Sequence, residues 1–126
     1  MNELKKLKIS FVYITHDLST ARYIAKNGKI CVMYLGEIVE MGNVNEILDN
    51  PKHPYTKALI KAVPDMYNNE YGELPLKSMH LIELDNRKEG CSFRNRCIYE
   101  LDECSKCVRC TNINGVQVRC NLYKDE

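Results

Sequence analysis

The chain has 126 residues, of which 44% are hydrophobic, and it carries a formal net charge of +1. This balance gives no support to nucleic-acid binding. The apolar run Phe11–Ile14 is far shorter than the roughly 20 residues of a membrane-spanning helix, and no apolar signal region follows the Lys-rich amino terminus, so we expect a soluble intracellular chain. Six of the seven cysteines lie between Cys91 and Cys120. They predict a second, metal-binding or redox-active unit rather than disulfides.

The first predicted element is a strand over Ile9–Ile14. Its β-branched and aromatic residues do not alternate with polar ones, which indicates burial on both faces in a parallel sheet. The strand ends at a polar step that contains His16, and open α/β sheets bind ligands at the carboxyl ends of their strands. His16 is therefore a candidate site residue. Asp17 or Ser19 is predicted to cap the following helix, and Asn27-Gly28 is predicted to end it.

A β-hairpin and two short helices are predicted next. The strands Ile30–Tyr34 and Glu37–Met41 are joined by Leu35-Gly36, where glycine permits a tight turn. Asn43 and Glu46 resemble a capping box for the first helix. The second helix starts at Pro54. Its predicted apolar side consists of Tyr55, Leu59 and Ala62.

The remaining sequence divides into a linker and a cysteine-rich end. No period persists over residues 65–89, so this segment is predicted to be a linker with one strand near Met79–Leu84. The predicted units are thus residues 1–64, 65–89 and 90–126. His53 fits a helix start, His80 stands alone in the linker, and Cys31 is expected to be a small buried residue of a strand.

Phosphate-binding motifs are missing from the sequence. It has no Gly-x-x-x-x-Gly-Lys-Ser/Thr loop, and its six glycines are scattered singly. The sequence before Ile9 also lacks the further strands that a buried parallel strand needs. The first half is therefore interpreted as the end of a larger fold.

Three ordered motifs resemble the carboxyl-terminal part of an ATP-binding cassette (ABC) ATPase. They are Ile14–Leu18 (Ile-Thr-His-Asp-Leu), Val32–Glu40 and His53–Leu59 (His-Pro-Tyr-Thr-Lys-Ala-Leu). The last motif, with Val63-Pro64 after it, resembles the oligopeptide and dipeptide importer branch. The resemblance implies an α/β fold, namely the C-terminal fragment of an ABC-type nucleotide-binding domain followed by a small cysteine-rich extension.

The resemblance also implies a function. His16 would be the switch histidine that contacts the γ-phosphate of ATP, with ATP and Mg²⁺ bound only by the full-length protein, so no ATP binding or hydrolysis is expected of this chain alone. The implied partners are a second ABC ATPase subunit, transmembrane permease subunits and an extracytoplasmic solute-binding protein, with no nucleic acid. The implied location is cytoplasmic, peripheral on the inner face of the cell membrane, and the solute is a peptide or nickel.

The cysteine-rich end predicts a second site. Four thiolates can hold zinc or an iron–sulfur cluster. Cys91, Cys97, Cys104 and Cys120 lack the two-residue spacing of short zinc sites, which disfavours zinc. The family resemblance implies a [4Fe–4S] cluster on these four cysteines. Cys107 and Cys110 are alternate ligands, and reduced thiols around a small core are the metal-free alternative.

Two functions remain open at this stage. One is the terminal part of an importer ATPase. The other is a free-standing metal- or Fe–S-binding interaction module from a truncated gene. In either case the apolar run Ile9–Ile14 has uncovered edges, so self-association of the chain is expected.

Overall fold

The computed structural model describes residues 9–62 and 89–123, and within them a single antiparallel sheet is present. Its strands lie in the order β1-β2-β4-β3. They are β1 (Lys29–Tyr34), β2 (Glu37–Asn43), β3 (Cys110–Ile113) and β4 (Val116–Arg119). With the helices beside it, this sheet forms a small α/β fold.

The hairpin β1–β2 forms as predicted. Leu35 and Gly36 both have positive φ values, 47° and 81°, which matches the right-handed twist of the flanking strands. Val32 and Tyr34 point inward, whereas Cys31 points outward and is exposed. The expectation that Cys31 is buried was wrong, because the described residues cover only the opposite face of β1.

Three α-helices lie in the described part, each with a side-chain cap. They are α1 (Leu18–Ile24), α2 (Val44–Asp49) and α3 (Pro54–Lys61), capped by Asp17, Asn43 and His53. A 3₁₀ helix spans Asp102–Ser105. Asn27, with φ 62°, takes the left-handed conformation predicted after α1. None of the helices in these ranges has the length and apolar character needed to cross a membrane.

The buried side of α3 differs from the prediction. Ala58 and Ile60 are buried, Tyr55 and Leu59 are half-buried, and Ala62 is exposed. The helix lies between two apolar clusters, with Tyr55 and Leu59 against one and Ile60 in the other. A single-stripe pattern therefore predicts only part of its buried surface.

The predicted strand Ile9–Ile14 was wrong. The segment has no regular secondary structure, and Val12 and Ile14 are 91% and 92% exposed. A strand that is apolar on both faces needs neighbours on both sides. The four strands of the described residues pair only with one another, all antiparallel, so nothing there covers this segment.

The main core joins the hairpin to the cysteine-rich end. β4 pairs with β2 through Glu40–Val118 and Met41–Gln117. The core cluster accordingly contains residues from both sides of the predicted linker: Val32, Tyr34, Val39, Ile47, Phe93, Cys97, Val116, Val118 and Cys120. Almost all of the predicted linker, including the strand near Met79–Leu84 and His80, lies outside the described residues. The boundaries 1–64, 65–89 and 90–126 therefore stay a prediction.

Candidate functional site

The polar segment Thr15–Asp17, directly before α1, is ordered by local hydrogen bonds. The Asp17 carboxylate accepts from the Ser19 N–H at 2.9 Å, and the Thr15 hydroxyl accepts from the Asp17 N–H at 2.9 Å. The hydrogen bonds from Ser19 hold the pKa of Asp17 below its ordinary value. Asp17 is therefore the helix cap, and the exposed His16 lies directly before it.

The four cysteines predicted to form the second site line one cavity. Cys97, Cys104 and Cys120 are buried, Cys91 is half-buried, and none of these four forms a disulfide. The space between them measures about 10 Å³ and is partly open to solvent. Phe93 and His53 also line it, whereas His16 does not. The structure thus brings the predicted set together and keeps it apart from the polar step.

Backbone contacts place the cysteines around this cavity. The Cys91 N–H donates to the Cys104 carbonyl at 2.7 Å, and the Cys120 N–H donates to the Arg109 carbonyl at 2.9 Å. Gly90 has φ 78°, and a Cβ on it would lie 2.2 Å from the Cys104 carbonyl oxygen. Only glycine allows this approach.

Two thiols of the cavity, those of Cys91 and Cys120, lose a proton less readily than a free cysteine because their pKa values are raised. Burial raises the pKa of Cys91, and it raises the pKa of Cys120 to about 11, with the other three cysteines adding to the second effect. A thiolate at Cys91 or Cys120 would be poorly solvated, and negative charge on a neighbouring cysteine would repel it. A bound cation would reverse this preference.

The alternate ligands lie elsewhere. Cys107 and Cys110 are exposed and do not line the cavity. Of the arginines beside the cysteines, Arg94 lines the cavity and donates to the Glu89 carbonyl at 2.7 Å, and Arg109 lies 3.5 Å from Glu103. The structure therefore separates the four predicted ligands from the two alternates.

The four cavity cysteines do not form a single-ion site among the residues that the structure describes. In residues 9–62 and 89–123, no three His, Cys, Asp or Glu side chains are positioned to hold one metal ion. The cysteines of a [4Fe–4S] cluster each bind a different iron, so they need not converge on one point. The cavity is nevertheless only about the size of a water molecule, and a cluster would require the side chains to move apart.

The thiols also fill part of the core. Gly90–Glu126 has few large apolar residues, and a small unit of this kind needs a metal or another cross-link to fold by itself. Instead, Cys97 and Cys120 pack with Phe93 against the hairpin residues Val32 and Tyr34. The shared core supplies apolar contacts that the segment lacks by itself, so the metal-free alternative is physically sound.

Two polar residues of the cavity were missed by sequence reasoning. His53 is 1% exposed, and its role as helix cap was anticipated but its place in the cavity was not. Asn121 donates to the Cys107 carbonyl at 2.7 Å and to the Cys104 sulfur at 3.8 Å. Its oxygen accepts from the Arg109 N–H at 2.9 Å. Its position directly after Cys120 was the only available signal.

Comparison with known proteins identifies the family to which this chain is similar. Residues 39–104 match the family model described as "Oligopeptide/dipeptide transporter, C-terminal region". The chain is 39% identical over 99 residues to the dipeptide transport ATP-binding protein DppF of Haemophilus influenzae, an alignment that covers 79% of this chain and 30% of that protein.

Two further relatives are also named as peptide-transport ATP-binding proteins. The oligopeptide transport ATP-binding protein OppF of Salmonella typhimurium is 38% identical over 106 residues, which covers 81% of this chain and 30% of the relative. The dipeptide transport ATP-binding protein DppD of Caldanaerobacter subterraneus is 34% identical over 128 residues, which covers 99% of this chain and 38% of the relative. The chain thus spans about a third of the length of the curated relatives it matches.

Proposed function

The chain belongs to the family of oligopeptide/dipeptide transporter C-terminal regions, and we propose that it forms the carboxyl-terminal part of the ATP-binding subunit of a peptide importer. The family match over residues 39–104 carries this proposal. The relatives named as peptide-transport ATP-binding proteins support it. In the complete transporter, the subunit would pair with a second ATPase subunit and with permease subunits, and a solute-binding protein would deliver the peptide.

In this proposal His16 is the residue that contacts the γ-phosphate of ATP. An imidazole N–H can donate to a phosphate oxygen, and phosphoryl transfer depends chiefly on positioning and on stabilisation of charge. His16 is exposed, and the Asp17 cap next to it fixes the start of α1. The step is therefore accessible to a nucleotide that other parts of a complete domain would hold.

Two experiments test the importer proposal. The coding sequence directly upstream of Met1 should contain an in-frame phosphate loop and ABC signature, whereas a stop codon or an unrelated gene would favour a free-standing module. Calorimetric titration of this chain with MgATP should give no binding, because the chain has no phosphate loop. Micromolar binding would contradict the assignment of His16 as one contact of an incomplete site.

We propose a second function for the cysteine cavity, favoured by the four thiols that line it. Cys91, Cys97, Cys104 and Cys120 would ligate a [4Fe–4S] cluster in preference to zinc. The cluster would transfer electrons or stabilise the fold. This chain's residues would hold it between the sheet and the segment after Gly90, and they would limit its contact with water.

Anaerobic reconstitution with iron and sulfide tests the ligand set. The wild-type chain should acquire a broad visible absorption, and Cys97→Ser or Cys120→Ser should abolish it. Cys107→Ser and Cys110→Ser are the matched controls, because both residues lie outside the cavity, and they should retain the absorption. Stoichiometric zinc in the protein as isolated, or equal loss of absorption in the controls, would contradict this proposal.

A further inference from the structure

The hairpin β1–β2 carries an apolar patch on the face that points away from the core. Met33 pairs with Ile38 across the two strands, and Cys31 pairs with Met41. Met33 and Ile38 are 56% and 48% exposed, Cys31 is exposed, and Met41 is half-buried. Gln117, the partner of Met41 on β4, is polar and exposed, so the patch ends at β2. These four residues, Cys31, Met33, Ile38 and Met41, are called the hairpin patch below.

One edge of the sheet lies beside this patch. Within residues 9–62 and 89–123, β1 pairs with β2 alone, so its other edge has no neighbouring strand. The backbone N–H and C=O groups along such an edge can form a ladder with an added chain. An extended segment that binds there would also place its side chains next to Cys31 and Met33.

The segment Ile9–Ile14 has the composition of a strand and an uncovered apolar face. Its sequence, Ile-Ser-Phe-Val-Tyr-Ile, contains no charged residue, glycine or proline. Val12 and Ile14 are 91% and 92% exposed, whereas Tyr13 is 52% exposed and Phe11 is half-buried. Alternate residues of an extended chain point to the same face, so Val12 and Ile14 share the more exposed one. The segment makes no backbone hydrogen bond to another residue of the described part of the chain.

The segment and the edge complement each other. Ile9–Ile14 and β1 both have six residues, so one can pair with the full length of the other. In a single copy the segment and the hairpin patch are exposed at the same time, so the segment does not cover the patch of its own chain. A second copy offers each surface the partner that it lacks.

We propose that Ile9–Ile14 of one copy adds as a strand to the open edge of β1 in a second copy, with Val12 and Ile14 on the hairpin patch. Backbone hydrogen bonds would provide affinity, and the apolar contacts would fix which face of the segment meets the patch. Because each copy has one segment and one edge, exchange in both directions closes a dimer. This interface depends on neither the importer proposal nor the cluster proposal.

Light scattering of the full 126-residue chain over a range of concentrations tests both surfaces. Ile14→Lys alters the added segment, and Met33→Lys alters the patch that receives it. Each should weaken the association constant by about tenfold or more, because a charged group replaces a buried apolar side chain. Gln117→Lys is the matched control on the polar half of the same sheet face, and it should dimerise like the wild type. A monomeric wild-type chain, or equal weakening by Gln117→Lys, would overturn the proposal.

A mixture of the two weakened variants distinguishes this interface from others. The Met33→Lys chain keeps an intact segment, and the Ile14→Lys chain keeps an intact patch. An equimolar mixture should therefore form dimers by exchange in one direction, at concentrations where each variant alone is monomeric. An interface between two hairpin patches, or between two copies of the segment, would leave the mixture monomeric, and that result would overturn the proposal.

Disulfide cross-linking tests the contact directly. With Cys107→Ser and Cys110→Ser in every chain, Cys31 is the one exposed native cysteine that remains. A chain with Val12→Cys and Cys31→Ser is mixed with a longer, tagged chain that keeps Cys31, and mild oxidation should link the two. Tyr23→Cys in place of Val12→Cys is the control, because Tyr23 is 73% exposed but lies outside the segment. No linked pair of unequal chains, or equal linking by the control, would refute the proposed contact.

Discussion

Removal of the Glu40 carboxyl should destabilise the chain more than the substitution of any exposed residue. Glu40 is 0% exposed, and its two oxygens accept from the Lys52 N–H at 2.9 Å and from the His53 N–H at 3.1 Å. These are the backbone groups that lead into α3. Alanine at this position leaves both donors buried without their acceptor.

The magnitude follows from the two backbone donors that lose their acceptor. Each buried donor that loses its acceptor costs about 1–3 kcal/mol, so Glu40→Ala should lower the free energy of unfolding by about 4 kcal/mol. Glu40→Gln keeps one acceptor oxygen and places an amide against the other N–H, so we expect a loss of about 2 kcal/mol. Both losses are large compared with the free energy of unfolding of a typical domain, which is roughly 5–15 kcal/mol.

Urea unfolding followed by circular dichroism measures the difference. Glu46→Ala is the matched control, because Glu46 is exposed on α2, and its effect should stay within about 0.5 kcal/mol. If Glu40→Ala unfolds at the same urea concentration as Glu46→Ala, the carboxyl does not hold the start of α3 and the reasoning is refuted.

The pH dependence offers a second readout for Glu40. Burial raises the pKa of Glu40, and the hydrogen bonds that it accepts only partly oppose this. The folded chain therefore keeps this proton to a higher pH than the unfolded chain. The contribution is fully present below the unfolded pKa and is lost as pH rises through the raised pKa. Glu40→Gln should lack this decline, and an identical decline in the variant would contradict the assignment.

Three further outcomes are expected. Gly90→Ala should destabilise the chain strongly, since its Cβ would lie 2.2 Å from the Cys104 carbonyl oxygen. The matched control Gly115→Ala, with φ 85° and open space around the Cβ, should cost about 1 kcal/mol. Equal urea midpoints for the two variants would contradict this prediction. Burial lowers the pKa of His53 from 6.5 to about 4. Acidification from pH 6.5 to 4 should therefore lower the free energy of unfolding of the metal-free wild type by about 3 kcal/mol more than that of His53→Asn. Parallel pH profiles of the two proteins would argue against a buried neutral ring. Ile14→Lys should reduce self-association in light scattering, because Ile14 is 92% exposed; a wild-type chain that is already monomeric would oppose this.

Local signals predicted the local structure well. Asp17 and Asn43 cap their helices, Pro54 starts α3, and Leu35-Gly36 forms the hairpin turn. In each case the backbone conformation or the hydrogen bond depends on residues within one turn of the chain. Short sequence patterns contain all the information that such features require.

Longer-range features were predicted poorly, because they depend on which segments meet. The apolar run Ile9–Ile14 indicates a strand only if other strands cover it, and the described residues supply none. The four cysteines were identified from their pattern, but the pairing of β2 with β4 that brings His53 to them crosses a long stretch of chain. No periodicity in the sequence records that pairing.

Contacts from both halves of the described chain converge on the segment before α3. Glu40 on β2 accepts from the backbone of Lys52 and His53, and the Tyr123 hydroxyl donates to the Lys52 carbonyl. Tyr123 lies three residues beyond Cys120, and its N–H donates to the Cys120 carbonyl at 3.4 Å. Tyr123 thus connects the Cys120 carbonyl to the Lys52 carbonyl by two hydrogen bonds. The segment before α3 is therefore the place where hydrogen bonds from β2 and from the end of the cysteine-rich region meet.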